Sequence, residues 1–160
     1  MRESGLTGKL CQGKPIFGLT DDEAVMLDFD NVSFKTTKYW ANRTMKFHKL
    51  EGFIILKSSK NCYHVVFNRS VSWSENMRIV AWVSLLSNNQ GTQKYHLMQC
   101  IKQASTLRIS DKKQKPSPRI VYRHGKEDDQ IRSFLEYRKL IKRIVRKLET
   151  EKQPQTQSLT

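Results

Sequence analysis

The chain has few cysteines and no long apolar run. Its three cysteines, Cys11, Cys62 and Cys100, are scattered, and no two of them form a C-x-x-C pair. This pattern argues against a disulfide framework and a cysteine-based zinc site, so we expect reduced thiols in an intracellular, cytoplasmic protein. No apolar run approaches the ~18 residues that span a bilayer, and the N-terminus lacks the apolar stretch of a signal peptide. We therefore expect no membrane span.

Acidic residues are also scarce. The 160 residues include 15 acidic and 29 basic side chains, which gives a net charge of +14 and a sequence pI near 9.9. Such an excess of positive charge indicates a polyanionic partner, either nucleic acid or an anionic membrane surface. The length is that of one domain with a substantial buried core.

Hydrophobic periodicity predicts an α+β protein with a largely antiparallel sheet, flanking helices and a single domain. Residues 1–20 are expected to form a loose leader with a short edge strand at 16–17, residues 21–150 the domain, and residues 151–160 a disordered tail. Strands are predicted over 25–30, 53–56, 62–67, 106–109 and 120–122. Helices are predicted from Thr36 or Thr37 to 49, from a cap at Ser72 or Ser74 to 87, over 94–104, and from Asp128 and Asp129 to 149.

Two aspartates interrupt the apolar run at residues 25–30. Successive side chains of a strand point to opposite faces, so Asp28 and Asp30 would lie side by side at the strand end. Two carboxylates this close repel each other unless a cation such as Mg²⁺ or Mn²⁺ lies between them. The alternative interpretation is a strand that runs into a solvated turn, where aspartate and asparagine are common.

A second polar group occurs at residues 58–67, where two serines, Lys60 and His64 enter a β-branched, aromatic strand. Small donors, exposed backbone N–H groups and lysine can bind a triphosphate, and His64 can donate a hydrogen bond to a phosphoryl oxygen. Considered alone, a histidine on a strand is more often simply a hydrogen-bonded residue.

Together these motifs resemble the archaeo-eukaryotic primase superfamily, in particular the compact primase-polymerase domains of archaeal plasmids and viruses. The resemblance covers about residues 21–122 and includes the 107–110 stretch with its following basic loop. It implies an RRM-like antiparallel sheet with helices on one face. It also implies Mg²⁺ or Mn²⁺ bound by Asp28 and Asp30, with the catalytic role on these acids. The triphosphate would be held by Ser59, Lys60, His64 and Arg108.

The chain departs from the family pattern at two places. Asn61 and Cys62 stand where glycine often precedes the histidine. The family's third aspartate has no counterpart at residues 101–105, so Asp111 becomes the candidate third metal ligand. Loss of a third carboxylate would impair catalysis, because one ion would lose a ligand and negative charge.

The resemblance implies a primase or polymerase that adds nucleoside triphosphates to a strand on a single-stranded DNA or RNA template. A helicase or another replication protein is a further partner that it leaves open. The alternatives are a catalytically weak or inactive single-strand-binding replication protein and an unrelated RNA-binding domain. The basic groove for the template would comprise Lys112, Lys113, Lys115, Arg119, Arg123, Lys139, Lys142, Arg143, Arg146 and Lys147. For the last helix, a solvated face on a packing element is an equally good interpretation.

Overall fold

Strands and helices intermingle along the chain in a computed structural model that describes residues 5–11, 14–112 and 115–151. The strands are β1 (Gly5–Cys11), β2 (Lys14–Asp21), β3 (Ala24–Phe29), β4 (Gly52–Ser59), β5 (Cys62–Ser70), β6 (Ser105–Arg108) and β7 (Arg119–Gly125). The helices are α1 (Phe34–His48), α2 (Trp73–Ser87), α3 (Gln90–Lys102) and α4 (Gln130–Glu151). Most predicted elements are present, with boundaries shifted by a few residues.

The strands form two antiparallel sheets. One has the order β1-β2-β6 and the other the order β3-β5-β4-β7. The α+β class with an RRM-like antiparallel sheet and flanking helices is therefore confirmed. The second sheet was not expected, because its strands β1 and β2 lie in the segment interpreted as a leader.

The prediction of a loose leader over residues 1–20 is wrong for the part that the structure describes. Strands β1 and β2 form a hairpin, and β2 also pairs with β6. Leu19 and its register partner Leu107 are both 2% exposed, so burial of these two side chains helps to anchor the hairpin to the rest of the fold. Residues 152–160 of the predicted tail lie outside the described residues.

The four-stranded sheet is covered on both faces, which explains its long apolar strands. Phe34 of α1 makes ring contacts with Tyr63 and Tyr122, which places α1 on one face. Arg123 follows Tyr122 in β7 and points to the other face, where Arg138 of α4 interacts with it electrostatically. The expectation that the helices lie on one face is therefore wrong. The largest fully buried side chains include Phe29, Phe53, Phe67 and Phe134.

Side-chain caps explain where the first three helices begin. Ser33, rather than Thr36 or Thr37, caps α1 by accepting a hydrogen bond from the backbone of Thr36. Ser72 caps α2 as predicted. Asn89 caps α3, which therefore begins four residues earlier than the predicted Lys94.

Helix α4 begins at Gln130, so the two aspartates before it lie outside the helix. Asp128 accepts a hydrogen bond from the side chain of Asn68, and Asp129 accepts one from the backbone of Ser70. These acids attach the start of α4 to β5, in addition to their favourable position near the positive end of the helix dipole.

Within the described residues, no helix combines the length and the apolar character that crossing a membrane requires.

Candidate functional site

Asp28 and His64 lie opposite each other on neighbouring strands. They are register partners in the β3-β5 pairing, and Asp28 Oδ1 is 3.6 Å from His64 Nε2. Burial and the nearby Arg108 lower the pKa of His64 to about 3, so the imidazole is neutral at physiological pH and the contact is not an ion pair. The other ring nitrogen, Nδ1, is buried and has no hydrogen-bond partner among the described residues. His64 is therefore not explained as a simple hydrogen-bonded strand residue.

The Asp28 carboxyl group has an unusual protonation equilibrium. Burial and repulsion from Asp30 raise its pKa to about 7, while Arg108 and Lys115 oppose the shift. The buried phenol of Tyr95 lies close enough for the Asp28 charge to raise its pKa further. A cation between the acids would favour the ionised form of Asp28, because it would offset both the desolvation and the repulsion.

Asp30 lies just past the end of β3 and is exposed, and the start of α3 fixes its position. Asn89 Nδ2 donates a 2.8 Å hydrogen bond to the Asp30 carbonyl, and Asn89 Oδ1 accepts one of 3.4 Å from the Asp30 amide. Thr92 Oγ1 donates a 3.1 Å hydrogen bond to the Asp28 carbonyl. Gly91 packs directly against Asp30, with no room for a side chain. One helix N-terminus thus holds the backbone that carries both acids.

A basic cleft of about 550 Å³ lies at the far end of β4. Its lining joins two segments that are distant in sequence. One is the β4-β5 turn with the predicted Ser59 and Lys60, and the other is the loop before β7 with Lys115, together with Arg119 at the start of β7. The segment after Asp30 lies beside the β4-β5 turn of this cleft, because the backbone N–H of Val32 donates a 3.0 Å hydrogen bond to the Asn61 carbonyl. Lys115 also opposes the rise of the Asp28 pKa. We call this site the basic cleft. It is lined by Lys57, Ser58, Ser59, Lys60, Lys115, Pro116, Ser117 and Arg119.

Arg108 connects the two sides of the basic cleft. Its guanidinium donates hydrogen bonds to the carbonyls of Ser58 at 3.1 Å, Pro116 at 2.9 Å and Ser110 at 2.5 Å. It also interacts electrostatically with Asp28. The side chain predicted to clamp phosphate thus uses much of its donor capacity on backbone carbonyls that belong to the cleft walls.

Asp111, the predicted third metal ligand, is engaged elsewhere. Its Oδ1 accepts a 2.5 Å hydrogen bond from the backbone of Ser117, and so it shapes the loop of the basic cleft. Within residues 5–11, 14–112 and 115–151, no three His, Cys, Asp or Glu side chains are grouped in a way that could hold a metal ion. The structure brings Asp28 and Asp30 together but leaves Asp111 out of the group.

The remaining predicted cations of the described residues are exposed and lie in the cleft loop, on β7 or on α4, and Arg123 of β7 forms an ion pair with Glu127. Lys112 pairs with Lys115 through their backbones, whereas Lys113 lies outside the described residues. On α4, Lys142 interacts electrostatically with Arg146 of the same helix and with Asp111 of the cleft loop. This part of the helix therefore lies near the cleft loop. Arg143, Arg146 and Lys147 are exposed on the same helix.

The sequence did not identify the residues that position the acids. The sequence predicts only a gap between two helices, which end at 87 and begin at 94. The contacts of Asn89 and Gly91 with Asp30 span about sixty positions, and no spacing rule connects segments so far apart. The one available signal was that asparagine and glycine at a helix start supply a cap and a close approach.

We expect the cation-free protein to lose stability as the pH rises from about 4 through about 7, because folded Asp28 binds its proton more tightly than unfolded Asp28 does. The full shift would correspond to about 4 kcal/mol, but 32% of the side chain is exposed to screening water. We therefore expect Asp28→Asn to stabilise the protein by about 1–2 kcal/mol above neutral pH. Urea unfolding with EDTA at acidic and alkaline pH measures this effect. Asp111→Asn is the control, and an equal gain in that variant would contradict the assignment.

Comparisons with protein-family models, curated proteins and solved structures give no match to this chain.

Proposed function

We propose that the chain is a metal-dependent nucleotidyltransferase of the primase-polymerase kind, which adds nucleotides to a strand paired with a single-stranded template. The observation that supports this most directly is the placement of Asp28 and Asp30 at one strand end, beside a basic cleft that contains Ser59, Lys60 and Lys115. Phosphoryl transfer requires carboxylates that bind a metal ion and, next to them, basic side chains that bind the phosphates. A cytoplasmic location alongside other replication proteins follows from this proposal.

The two acids fit a hard divalent cation. Carboxylate oxygens suit Mg²⁺ and Mn²⁺, and no described residue donates a hydrogen bond to the Asp28 side chain. Asp28 and Asp30 would hold the ion, with nucleotide phosphates and water completing its ligands. When bound, the ion would lower the pKa of the attacking hydroxyl and stabilise charge on the transferred phosphoryl group.

The side chains of the basic cleft would bind the substrate and fix the shape of the cleft. Ser59 and Lys60 would bind the triphosphate, Lys60 through charge-assisted hydrogen bonds, whereas Lys115 and Arg119 on the other wall would contact the template strand. Arg108 would keep the two walls of the basic cleft at a fixed separation through its carbonyl contacts.

His64 is buried beside Asp28 and lies outside the lining of the basic cleft. We therefore assign it to shielding the Asp28 carboxylate from water rather than to binding phosphate. The template would lie along the exposed cations of the cleft loop and α4.

The direct test is incorporation of labelled ribo- and deoxynucleotides by the full chain on primed and unprimed single strands, with Mg²⁺ or Mn²⁺ and with EDTA. The proposal expects cation-dependent extension of at least one substrate. Absence of product under all of these conditions would contradict it.

A catalytically inactive single-strand-binding protein is the second candidate. It is favoured by the separation of Asp111 from Asp28 and Asp30. Only two carboxylates then remain at the site, and a pair of metal ions would need more ligands than these two supply. This candidate predicts strand binding that is unaffected by EDTA and by substitution of the acids.

Removing two cations of the basic cleft should weaken strand binding in a salt-dependent way. If Lys115 and Arg119 each contact one phosphate, Lys115→Gln with Arg119→Gln should make the slope of log affinity against log salt less negative by about 1.4. Fluorescence anisotropy of a labelled single strand measures the slope. Lys102→Gln with Arg132→Gln, an equal charge change at exposed positions of α3 and the start of α4, is the matched control. Equal slopes in the two double variants would contradict a role for the basic cleft.

A further inference from the structure

An exposed cluster of aromatic side chains lies on helices α1 and α2. Tyr39 is 54% exposed and Phe47 66% exposed, and both are flanked by the partly buried rings of Trp40 and Trp82. Large aromatic side chains are usually buried, so a group of them at the surface indicates an interaction site. We call this cluster, with Arg43, the aromatic surface.

The rings and the arginine form one continuous assembly. Phe47 stacks on Trp82 with centroids 5.0 Å apart and planes 12° apart. The Arg43 guanidinium lies 5.4 Å from the Trp40 ring centroid and 5.8 Å from that of Trp82. Arg43 also donates a 3.0 Å hydrogen bond to the Tyr39 hydroxyl. These contacts hold the rings in place, so a ligand would meet a largely ordered surface.

The charge of α1 indicates what this surface binds. Helix α1 contains no aspartate or glutamate, and its exposed cations are Lys35, Arg43 and Lys46. Its fourth cation, Lys38, lies over the Tyr122 ring on the sheet side of the helix. Exposed aromatic rings interleaved with cations match a single nucleic-acid strand, whose bases stack on the rings while its phosphates approach the cations. Lysine is depleted in protein–protein interfaces, so the lysines of α1 favour a nucleic-acid strand over a protein partner.

The aromatic surface and the acids lie on opposite faces of the four-stranded sheet. Tyr63 of β5 contacts Phe34 of α1, so it points to the α1 face of the sheet. His64 is the next residue and therefore points to the opposite face, as does its register partner Asp28. A strand on the aromatic surface would lie behind the candidate site.

We propose that the aromatic surface is a second binding site for single-stranded nucleic acid. From Tyr39 to Phe47 it extends about 12 Å along α1, which is enough for a few stacked bases. The proposal does not depend on nucleotidyl transfer, because it requires neither the acids nor a cation.

The test uses the full chain carrying Lys115→Gln and Arg119→Gln, so that the basic cleft contributes little. An oligothymidylate of about twelve nucleotides is titrated by anisotropy and by tryptophan fluorescence, since Trp40 and Trp82 lie in the surface. Adding Tyr39→Ala and Phe47→Ala should lower the affinity by about 10-fold or more and reduce the fluorescence change. Phe47→Leu keeps apolar bulk without a ring and should also weaken binding.

The control is Leu97→Ala with Ile101→Ala, two side chains on α3 that are 61% and 68% exposed. This variant should bind the strand as its parent does. Unchanged affinity in both Tyr39→Ala/Phe47→Ala and Phe47→Leu would overturn the proposal, as would a change of oligomeric state without loss of strand binding. Loss of affinity in a chain that incorporates no nucleotides would still support it, so its failure is distinguishable from failure of the proposed enzyme.

Discussion

Replacing Asp28 with asparagine, or Asp30 with asparagine, is expected to lower nucleotide incorporation by about 10³-fold or more. Each substitution removes one of the two carboxylate charges that would bind the cation. A bound cation contributes several kcal/mol of transition-state stabilisation, and about 4 kcal/mol corresponds to about 10³ in rate. The amide keeps the shape of the side chain, so the loss would reflect charge and ligand strength rather than packing.

The informative control for these variants is Asp111→Asn. The resemblance to primases assigns Asp111 to the metal, whereas the structure engages its carboxylate with the backbone of Ser117. An asparagine oxygen can accept the same hydrogen bond, so incorporation should fall little.

Rates are measured at saturating Mg²⁺ and again across a Mg²⁺ titration, since a lost ligand raises the cation concentration needed. Wild-type rates in Asp28→Asn or Asp30→Asn would refute the metal assignment. An equally large loss of incorporation rate in Asp111→Asn would indicate that Asp111 is also a metal ligand.

Substituting Gly91 with alanine is expected to destabilise the fold and to impair catalysis together. An added Cβ would lie 2.6 Å from Asp30 Cβ and 2.7 Å from the Asp30 backbone nitrogen. The backbone cannot move aside as a flexible side chain can, so we expect a cost of about 1–3 kcal/mol. Glycine to alanine within a helix is otherwise favourable by up to about 1 kcal/mol. The sign of the change therefore distinguishes close packing from helix propensity.

The same displacement would move Asp30 relative to Asp28. A shift of about 1 Å in a catalytic group can cost about 10²-fold in rate, so incorporation should fall by about 10- to 100-fold. Urea unfolding measures the stability and the incorporation assay measures the rate. Lys94→Ala, an exposed substitution one turn later in α3, controls for effects on the helix itself. A Gly91→Ala protein that is more stable than wild type would show that α3 does not press on Asp30.

The order of strands and helices could be predicted because each leaves a local pattern. The acids at residues 28 and 30 and the turn at Ser59 and Lys60 were recognisable in the same way, since their chemistry is set by neighbouring residues. The hairpin of β1 and β2 was not predicted, because its sequence is rich in glycine and has too few apolar side chains to show the alternating pattern of a strand. Its pairing with β6 depends on a segment more than eighty residues away.

The roles of individual site residues were harder to predict for a related reason. Sequence shows that Arg108, His64 and Asp111 carry suitable groups, but not which partners will occupy them. Arg108 is engaged by carbonyls and Asp111 by an amide, and His64 is buried beside Asp28. Asn89 could not be predicted as a site residue, because it acts through hydrogen bonds to the backbone of Asp30, which is distant in sequence.

The three hydrogen bonds of Arg108 also bear on how the site arises during folding. The arginine belongs to β6 of the three-stranded sheet, whereas Ser58 belongs to β4 of the four-stranded sheet, fifty positions away. A contact of such long range forms only after the intervening loops have closed, which makes it slow to appear. The basic cleft therefore exists only once both sheets have docked. In a partly folded chain, the residues that line the cleft would lie on separate segments.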